Sequence, residues 1–386
     1  MRRWRYCVYS FRLPAVAFHV PPPQPPTPAN INPSFRLGYR PELDGVRGVS
    51  ILLVLGLHFI PGVLPGGYFG VEVFFVLSGF LITSLLLQEW ARRGSISLKD
   101  FYFRRALRLG PALIFYLLLL GAYAFLFLKK EHAAEIYTGI LLTLSYVSNW
   151  IVALKPDYPL GILAITWSLA VEEQFYLLWP PTLFFLLNKK LSRRWIVIII
   201  VSGLLVIILH RYWLWYSGAS FRRLYYATDT RADGLMLGCL TGCLVSWGLM
   251  PKSRVFELSM KALSLVSALF LGYLVFTIKS SNPILFKGVF ALATLAIAIL
   301  LTVLIVWPTA PAFLPLKFPP LVWIGRVSYG LYLWHWPVRG LVFGRSVQPS
   351  IKQIIAAVAL SFAITSFSFY LIERPFLRWK KRFSHA

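Results

Sequence analysis

Few ionisable side chains stand inside the long apolar runs of this sequence: His58, Glu72, Glu172, Glu173, His210, Arg211, Asp233 and His335. A charge in the middle of a bilayer costs a few kcal/mol or more, so each of these is a candidate functional position. The sharpest case is YRPELDGVRGVSILLVLGLHF, where Glu42, Asp44 and Arg47 precede a solitary His58. At about 100° and 1.5 Å per residue, Arg47 and His58 share one helix face, roughly 16 Å apart along the axis. A neutral imidazole placed there can accept a proton. The competing reading is a core histidine hydrogen-bonded to a neighbouring helix.

Three further strings carry chemistry. In GGYFGVEVFFVLSGFLI the only charge is Glu72, and the glycines permit close approach of another backbone or a ligand. In FYFRRALRLGP, Arg105 and Arg108 stand at i and i+3 on one face. Guanidinium groups suit phosphate, although a basic segment there also serves as a plain topology anchor. In TWSLAVEEQFYLLWPP, Glu172 and Glu173 point about 100° apart, so at most one faces a given site. Either can orient a histidine or accept a proton from a hydroxyl, or else pair with an interior arginine such as Arg231. His335, in SYGLYLWHWP, and the ERPF string read as architectural.

These residues need a bundle to position them, and composition says which kind. The chain has 386 residues, 58% hydrophobic and only 14% charged. Soluble domains carry about 25% charged residues, so a water-facing globule, a disordered chain and a secreted disulfide scaffold are excluded. The net charge of +25 would suggest nucleic acid in a soluble protein. Here lysine and arginine collect between the apolar runs, as topology signals do, and no nucleic-acid partner is expected. Cys7, Cys239 and Cys243 have no metal-like spacing and read as free thiols.

The fold class is therefore an all-α polytopic membrane protein. Apolar runs fall near 47–64, 69–88, 109–128, 137–153, 162–187, 195–216, 232–249, 259–278, 287–307, 322–343 and 351–372. The basic links Arg92–Arg108 and Lys189–Arg194 should lie on one side, which fails if every run is a full crossing. The polar run 137–153 resolves the conflict if it enters and leaves by one face or lies in the interior. About ten crossings with both termini cytoplasmic are then expected. Residues 1–39 read as a basic, proline-rich tail, 40–379 as the membrane domain and 380–386 as a basic C-terminal tail.

Taken in order, RPELDGVRG…LHF, GVEVFFVLSGFLI, FYFRRALRLGPAL, WSLAVEEQFYLLWP, TRADGLMLG, SYGLYLWHWPV and ERPF resemble the landmarks of the acyltransferase-3 family of membrane acyltransferases. The resemblance covers about Arg40 to Trp379. It implies transfer of an acyl group, usually acetyl from acetyl-CoA, onto sugars of bacterial surface glycans. By its motifs, Arg47 and His58 are the catalytic pair and Arg105 and Arg108 belong to the acyl-donor side. The WSL…EEQFYL element falls on Trp167, Ser168, Glu172, Glu173 and Gln174. Asp44, Glu72, Ser78, Trp167, Ser168 and Arg231 complete the expected site as supporting residues. Two departures are Ile165, where many members have histidine, and GVE in place of a GVD triplet.

The expected function is an O-acyltransferase in the bacterial plasma membrane, with His58 as base, Glu172 or Glu173 orienting it, and Arg47 on the thioester or oxyanion. A covalent acyl-His58 relay is a variant of that chemistry. Acyl-CoA is a cosubstrate, with no permanently bound cofactor or metal, and a carbohydrate is the acceptor. The resemblance also implies a separate extracytoplasmic partner domain in members that need one. The rivals are a transporter or flippase of a glycolipid or anionic solute, and a polytopic glycosyltransferase. The absence of a visible repeat counts against the first, and the absence of an Asp-rich external loop against the second.

Overall fold

A computed structural model describes residues 37–382 except 156, 159, 160, 309, 310, 345 and 347. The expected tail over 1–39 therefore lies almost wholly outside the described residues, as do Cys7 and residues 383–386. No strand occurs among the described residues. The chain begins with α1 (Pro41–Phe59), α2 (Phe69–Arg93), α3 (Leu98–Phe127), α4 (Lys130–Leu144), α5 (Ser148–Leu154) and α6 (Thr166–Asn188). Next come α7 (Arg193–Tyr216), the short α8 (Phe221–Tyr226) and α9 (Thr228–Arg231), α10 (Asp233–Ser246), α11 (Arg254–Thr277) and α12 (Val289–Val306). The last group is α13 (Pro319–Arg326), α14 (Ser328–Phe343), α15 (Ile351–Phe367) and α16 (Arg374–Arg382), the final two joined by a π turn, Ser368–Glu373.

Local chemistry sets the ends that matter for the site. Pro41 opens α1 with its fixed φ, and Glu42 and Asp44 in the first turn complement the helix dipole. Gly94 closes α2 at a φ of 69°, which a side chain would disfavour. Ser97 then caps α3 by accepting from the Asp100 N–H. Glu89 holds this corner, accepting from the Ser97 N–H at 2.9 Å and from Arg104 at 3.1 Å.

Six described helical stretches are long and apolar enough to cross a bilayer: α2, α3, α7, α11, α12 and the α15–α16 stretch Ile351–Trp379. The helices that carry most of the candidate residues, α1, α6, α10 and α14, fall short of that measure through length or polarity. They are sheltered by the others. α2 and α10 touch backbone to backbone, since a Cβ at Gly79 would collide with the Leu235 carbonyl and one at Gly238 with the Val76 carbonyl.

The polar run 137–153 is a pair of helices, α4 and α5, bent by 117° at the break. The segment after α5 turns back toward the first turns of α4, since Tyr158 lies within electrostatic reach of Glu135 and both line one cavity. The run 322–343 departs from expectation, because it breaks at Val327 into α13 and α14. α16 runs to Arg382.

This geometry has a labelling consequence. Lys130→Cys and Lys155→Cys, at the two exposed feet of the bent pair, should react with an impermeant thiol reagent from one side of the membrane. Ser192→Cys, in the basic link before α7, should react from the other. Labelling of positions 130 and 155 from opposite sides would make α4–α5 a broken crossing.

Candidate active site

One cavity of about 390 Å³ penetrates the bundle from the basic end. α2 lines it from Val71 to Arg93, about 33 Å of helix at 1.5 Å per residue. Its wall holds six arginines (47, 92, 93, 104, 105 and 108) against three glutamates (89, 172 and 173), an excess of three positive charges. Such a cleft, walled by apolar side chains, focuses a field that attracts anions.

The arginines differ in how they are held. Arg105 donates to Glu173 Oε1 at 2.9 Å and lies over the Tyr176 ring, 3.1 Å from its centroid. Arg104 is tied to Glu89. Arg47 and Arg108 form no ion pair among the described residues, and the buried Nε of Arg47 has no hydrogen-bond partner. Glu172 stands close by but is already engaged, accepting from Ser78 Oγ at 2.6 Å and from the Tyr176 hydroxyl at 3.1 Å. The inner end of the cavity is closed by Ser168 and Tyr332. The Ser168 and Tyr332 hydroxyls stand 2.6 Å apart and share the Ile165 carbonyl as acceptor, at 3.4 and 3.1 Å.

Tyr332 packs on the ring of His335, 5.7 Å between centroids, and His335 is the partner of His58. His335 Nδ1 faces two backbone carbonyls, Tyr332 at 2.7 Å and Leu331 at 3.1 Å. Carbonyls only accept, so this nitrogen carries the proton and His335 Nε2 is bare. His58 Nδ1 stands 3.0 Å from that bare nitrogen and must donate to it. The remaining lone pair of His58 is on Nε2, where it can take a proton. The two rings stack at 5.1 Å, and Trp336 meets His58 edge-on at 4.9 Å.

Three sequence expectations change here. Neither Glu172 nor Glu173 orients His58, because both are bonded inside the arginine cavity. Arg47 shares the predicted face with His58 but stands with Arg105 and Arg108 in the cavity wall, about 16 Å along α1 from the imidazole. His335, read as architectural, is the residue that fixes His58. No local pattern could have shown this contact, which joins positions 277 residues apart.

The supporting residues fall into two groups. Ser78 and Ser168 line the cavity, while Asp44 lies outside it, 3.5 Å from Arg326. Glu72 and Arg231 form a buried ion pair, next to a second between Arg211 Nη1 and Asp233 Oδ2 at 2.8 Å. All four side chains are at most 1% exposed, which leaves water no part in screening them. Arg231 also lies over the rings of Phe290, Tyr225 and Trp167, at 4.3, 4.8 and 5.6 Å. Trp167 in turn packs against Phe75 in the cavity wall. Cys239 and Cys243 are free and buried.

Comparison with known proteins adds a consistent set of similarities. A family model for an acyltransferase domain matches residues 40–373. The chain is 34% identical over 352 residues to the peptidoglycan O-acetyltransferase OatA of Listeria monocytogenes, covering 87% of this chain and 56% of that protein. It is 33% identical over 350 residues to a provisionally named O-acetyltransferase of Staphylococcus aureus, covering 88% of this chain and 58% of the other. A provisionally named peptidoglycan O-acetyltransferase of Bacillus subtilis, YrhL, is 31% identical over 354 residues, covering 87% and 55%. The chain thus spans a little over half the length of these curated relatives. No solved structure matches it.

The buried pairs generate a stability test. Removing one member strands the other charge, so Glu72→Leu or Arg231→Met alone should each cost about 3–5 kcal/mol. The double variant should recover much of that loss, since an apolar pair of similar volume replaces an ion pair well in a buried site. Thermal unfolding of the purified proteins measures the cycle. A double variant no more stable than the weaker single would show that the two residues do not act as a pair.

Proposed function

We propose that this chain, which belongs to the acyltransferase domain family, transfers an acyl group, acetyl in the first instance, from acyl-CoA to a hydroxyl of a carbohydrate acceptor. The observation that carries this reading is the excess of arginine in a cavity whose inner wall, Tyr332, packs on His335, the partner of an imidazole with a free Nε2. A thioester is already activated, so such an enzyme needs a phosphate grip, a base and an acceptor hydroxyl. It needs no metal and no permanently bound cofactor.

Arg47, Arg105 and Arg108 would hold the phosphates of CoA, with the acyl-pantetheine arm extending along α2 toward Ser168 and Tyr332. Displacement of that closure would bring the thioester to His58. Nε2 of His58 takes the proton of the acceptor hydroxyl as its oxygen attacks the thioester carbon. The tetrahedral intermediate then expels the thiolate as the C–S bond breaks, and His58 returns the proton to sulfur. The products are the O-acyl ester and CoA with a free thiol.

By the distribution of lysine and arginine, the basic end and both termini would face the cytoplasm of a bacterial cell, with His58 toward the far side. Similarity to peptidoglycan O-acetyltransferases supports a cell-wall or related glycan as acceptor. Where the product must reach a polymer, an extracytoplasmic domain would complete the transfer.

The direct experiment supplies labelled acetyl-CoA to purified protein in nanodiscs and follows the label. Transfer to a sugar with release of CoA is expected, whereas a transporter would move solute and leave acetyl-CoA intact. His58→Ala should lower turnover per folded molecule by about 10²–10⁴-fold, the range of a general base. His335→Phe removes the acceptor for His58 Nδ1–H and should lower kcat about tenfold, the worth of one buried hydrogen bond. His335→Gln should restore part of that loss, because its amide oxygen also accepts. Retention of more than about a tenth of wild-type turnover by His58→Ala, below the general-base range, would remove His58 from the mechanism.

The arginines make a separate prediction. Arg105→Ala and Arg108→Ala should chiefly raise KM for acyl-CoA, since phosphate contacts far from the carbonyl contribute uniform binding. Donor titrations of each variant test this. An unchanged KM in both would return these side chains to a purely topological role.

A further inference from the structure

The proposed function leaves the acceptor undefined, and the structure offers chemistry for it next to His58. Arg339, on α14, donates from Nε to the His58 carbonyl at 3.0 Å. Its guanidinium lies over Trp336, 5.2 Å from the ring centroid, and near Phe343 at 5.7 Å. Arg339 forms no ion pair with any carboxylate among the described residues, a group that includes every Asp and Glu of the sequence. With Nε occupied, the two terminal amino groups remain, and they form a fork suited to a carboxylate or phosphate.

Trp336 is fixed as well. Its indole N–H donates to the Gly161 carbonyl at 3.0 Å, and the ring stands edge-on to His58. His58, Trp336 and Arg339 are all partly exposed rather than sealed in the core. Gly161 also borders a second cavity, of about 280 Å³, at this end of the bundle. That cavity carries Glu135 and His132 but no arginine or lysine, and Arg339 is the cation whose charge reaches the His58 imidazole.

We propose that Trp336 and Arg339 form the acceptor subsite, and that the acceptor is an acidic sugar. The sugar ring would pack against the indole, its negative group on the Arg339 fork and the reacting hydroxyl toward His58 Nε2. This inference rests on the acyl-transfer reading and narrows its substrate class to a sugar bearing a carboxylate or a phosphate. In this arrangement Arg339 sets position and specificity, while the proton moves only between the acceptor hydroxyl, His58 and the thiolate.

The test compares matched acceptors with the full chain in nanodiscs and labelled acetyl-CoA. One pair is N-acetylmuramic acid and its methyl ester, the other N-acetylglucosamine 1-phosphate and N-acetylglucosamine. The wild type should prefer at least one acidic member by about tenfold or more in kcat/KM, as a charge-assisted hydrogen bond implies, and the preferred pair identifies the anion. Arg339→Gln should erase the preference by raising KM for the acidic acceptor alone, with Arg339→Lys retaining part of it. Equal use of acidic and neutral members by the wild type, or a preference that survives in Arg339→Gln, overturns the inference. The wild-type comparison decides even if a variant fails to fold. Absence of any transfer from acetyl-CoA to all four sugars would instead overturn the acyl-transfer reading, and this inference with it.

Discussion

An arginine inside a bilayer-sized bundle keeps its charge, so it must meet a counter-charge or stand beside open polar space. Arg231 takes the first course, with Glu72 as its partner and three aromatic rings around it. That ion pair joins α9 to α2, and the neighbouring Arg211–Asp233 pair joins α7 to α10. The contact of α2 with α10 at Gly79 and Gly238 then has a fixed register. Trp167 rests on Arg231, so α6 takes its position from the same pair, and Ser168, Glu172 and Glu173 follow with it.

Arg47 and Arg108 take the second course. They are the same residue type but half-buried, and the nearby carboxylates are committed elsewhere, Asp44 facing Arg326. Ser78 and Tyr176 hold Glu172, and Arg105 holds Glu173. The cavity therefore keeps a positive surplus that packing alone would have removed, because uncompensated charge opposes folding. On the proposed reading, the phosphates of the acyl donor supply the missing negative charge. Stability and donor binding thus depend on separate arginines, and a sequence that lists only charges gives no means of sorting them.

Legibility in the sequence follows the range of the interaction. The shared face of Arg47 and His58, the paired face of Arg105 and Arg108 and the return of the 137–153 segment all come from helix periodicity or charge bias. These properties act within one element or over the whole chain. The partners of Glu172 and Glu173 were open because adjacent carboxylates point in known directions toward unknown neighbours. The break at Val327 was hidden inside an apolar run. It coincides with the packing of Gly325 directly on the Asp44 carbonyl of α1, where a side chain has no room. His335 looked inert for a related reason: its role depends on which carbonyls face Nδ1, and that is a property of the folded turn.

The pairing of His58 with a neutral imidazole also bears on the chemistry. A carboxylate partner would fix the tautomer and add a negative charge to stabilise the imidazolium, as in serine hydrolases that attack unactivated amides. His335 fixes the tautomer without adding that charge, a weaker assistance that would suffice for the thioester of the proposed donor, whose leaving group is good. The second match is one of length. Coenzyme A carries its phosphates and its thioester at opposite ends of one flexible arm. α1 carries Arg47 and His58 on one stiff rod, about 16 Å apart at the helical rise. The helix therefore sets how far the proposed phosphate grip lies from the base, and the arm, which can bend, adjusts to it.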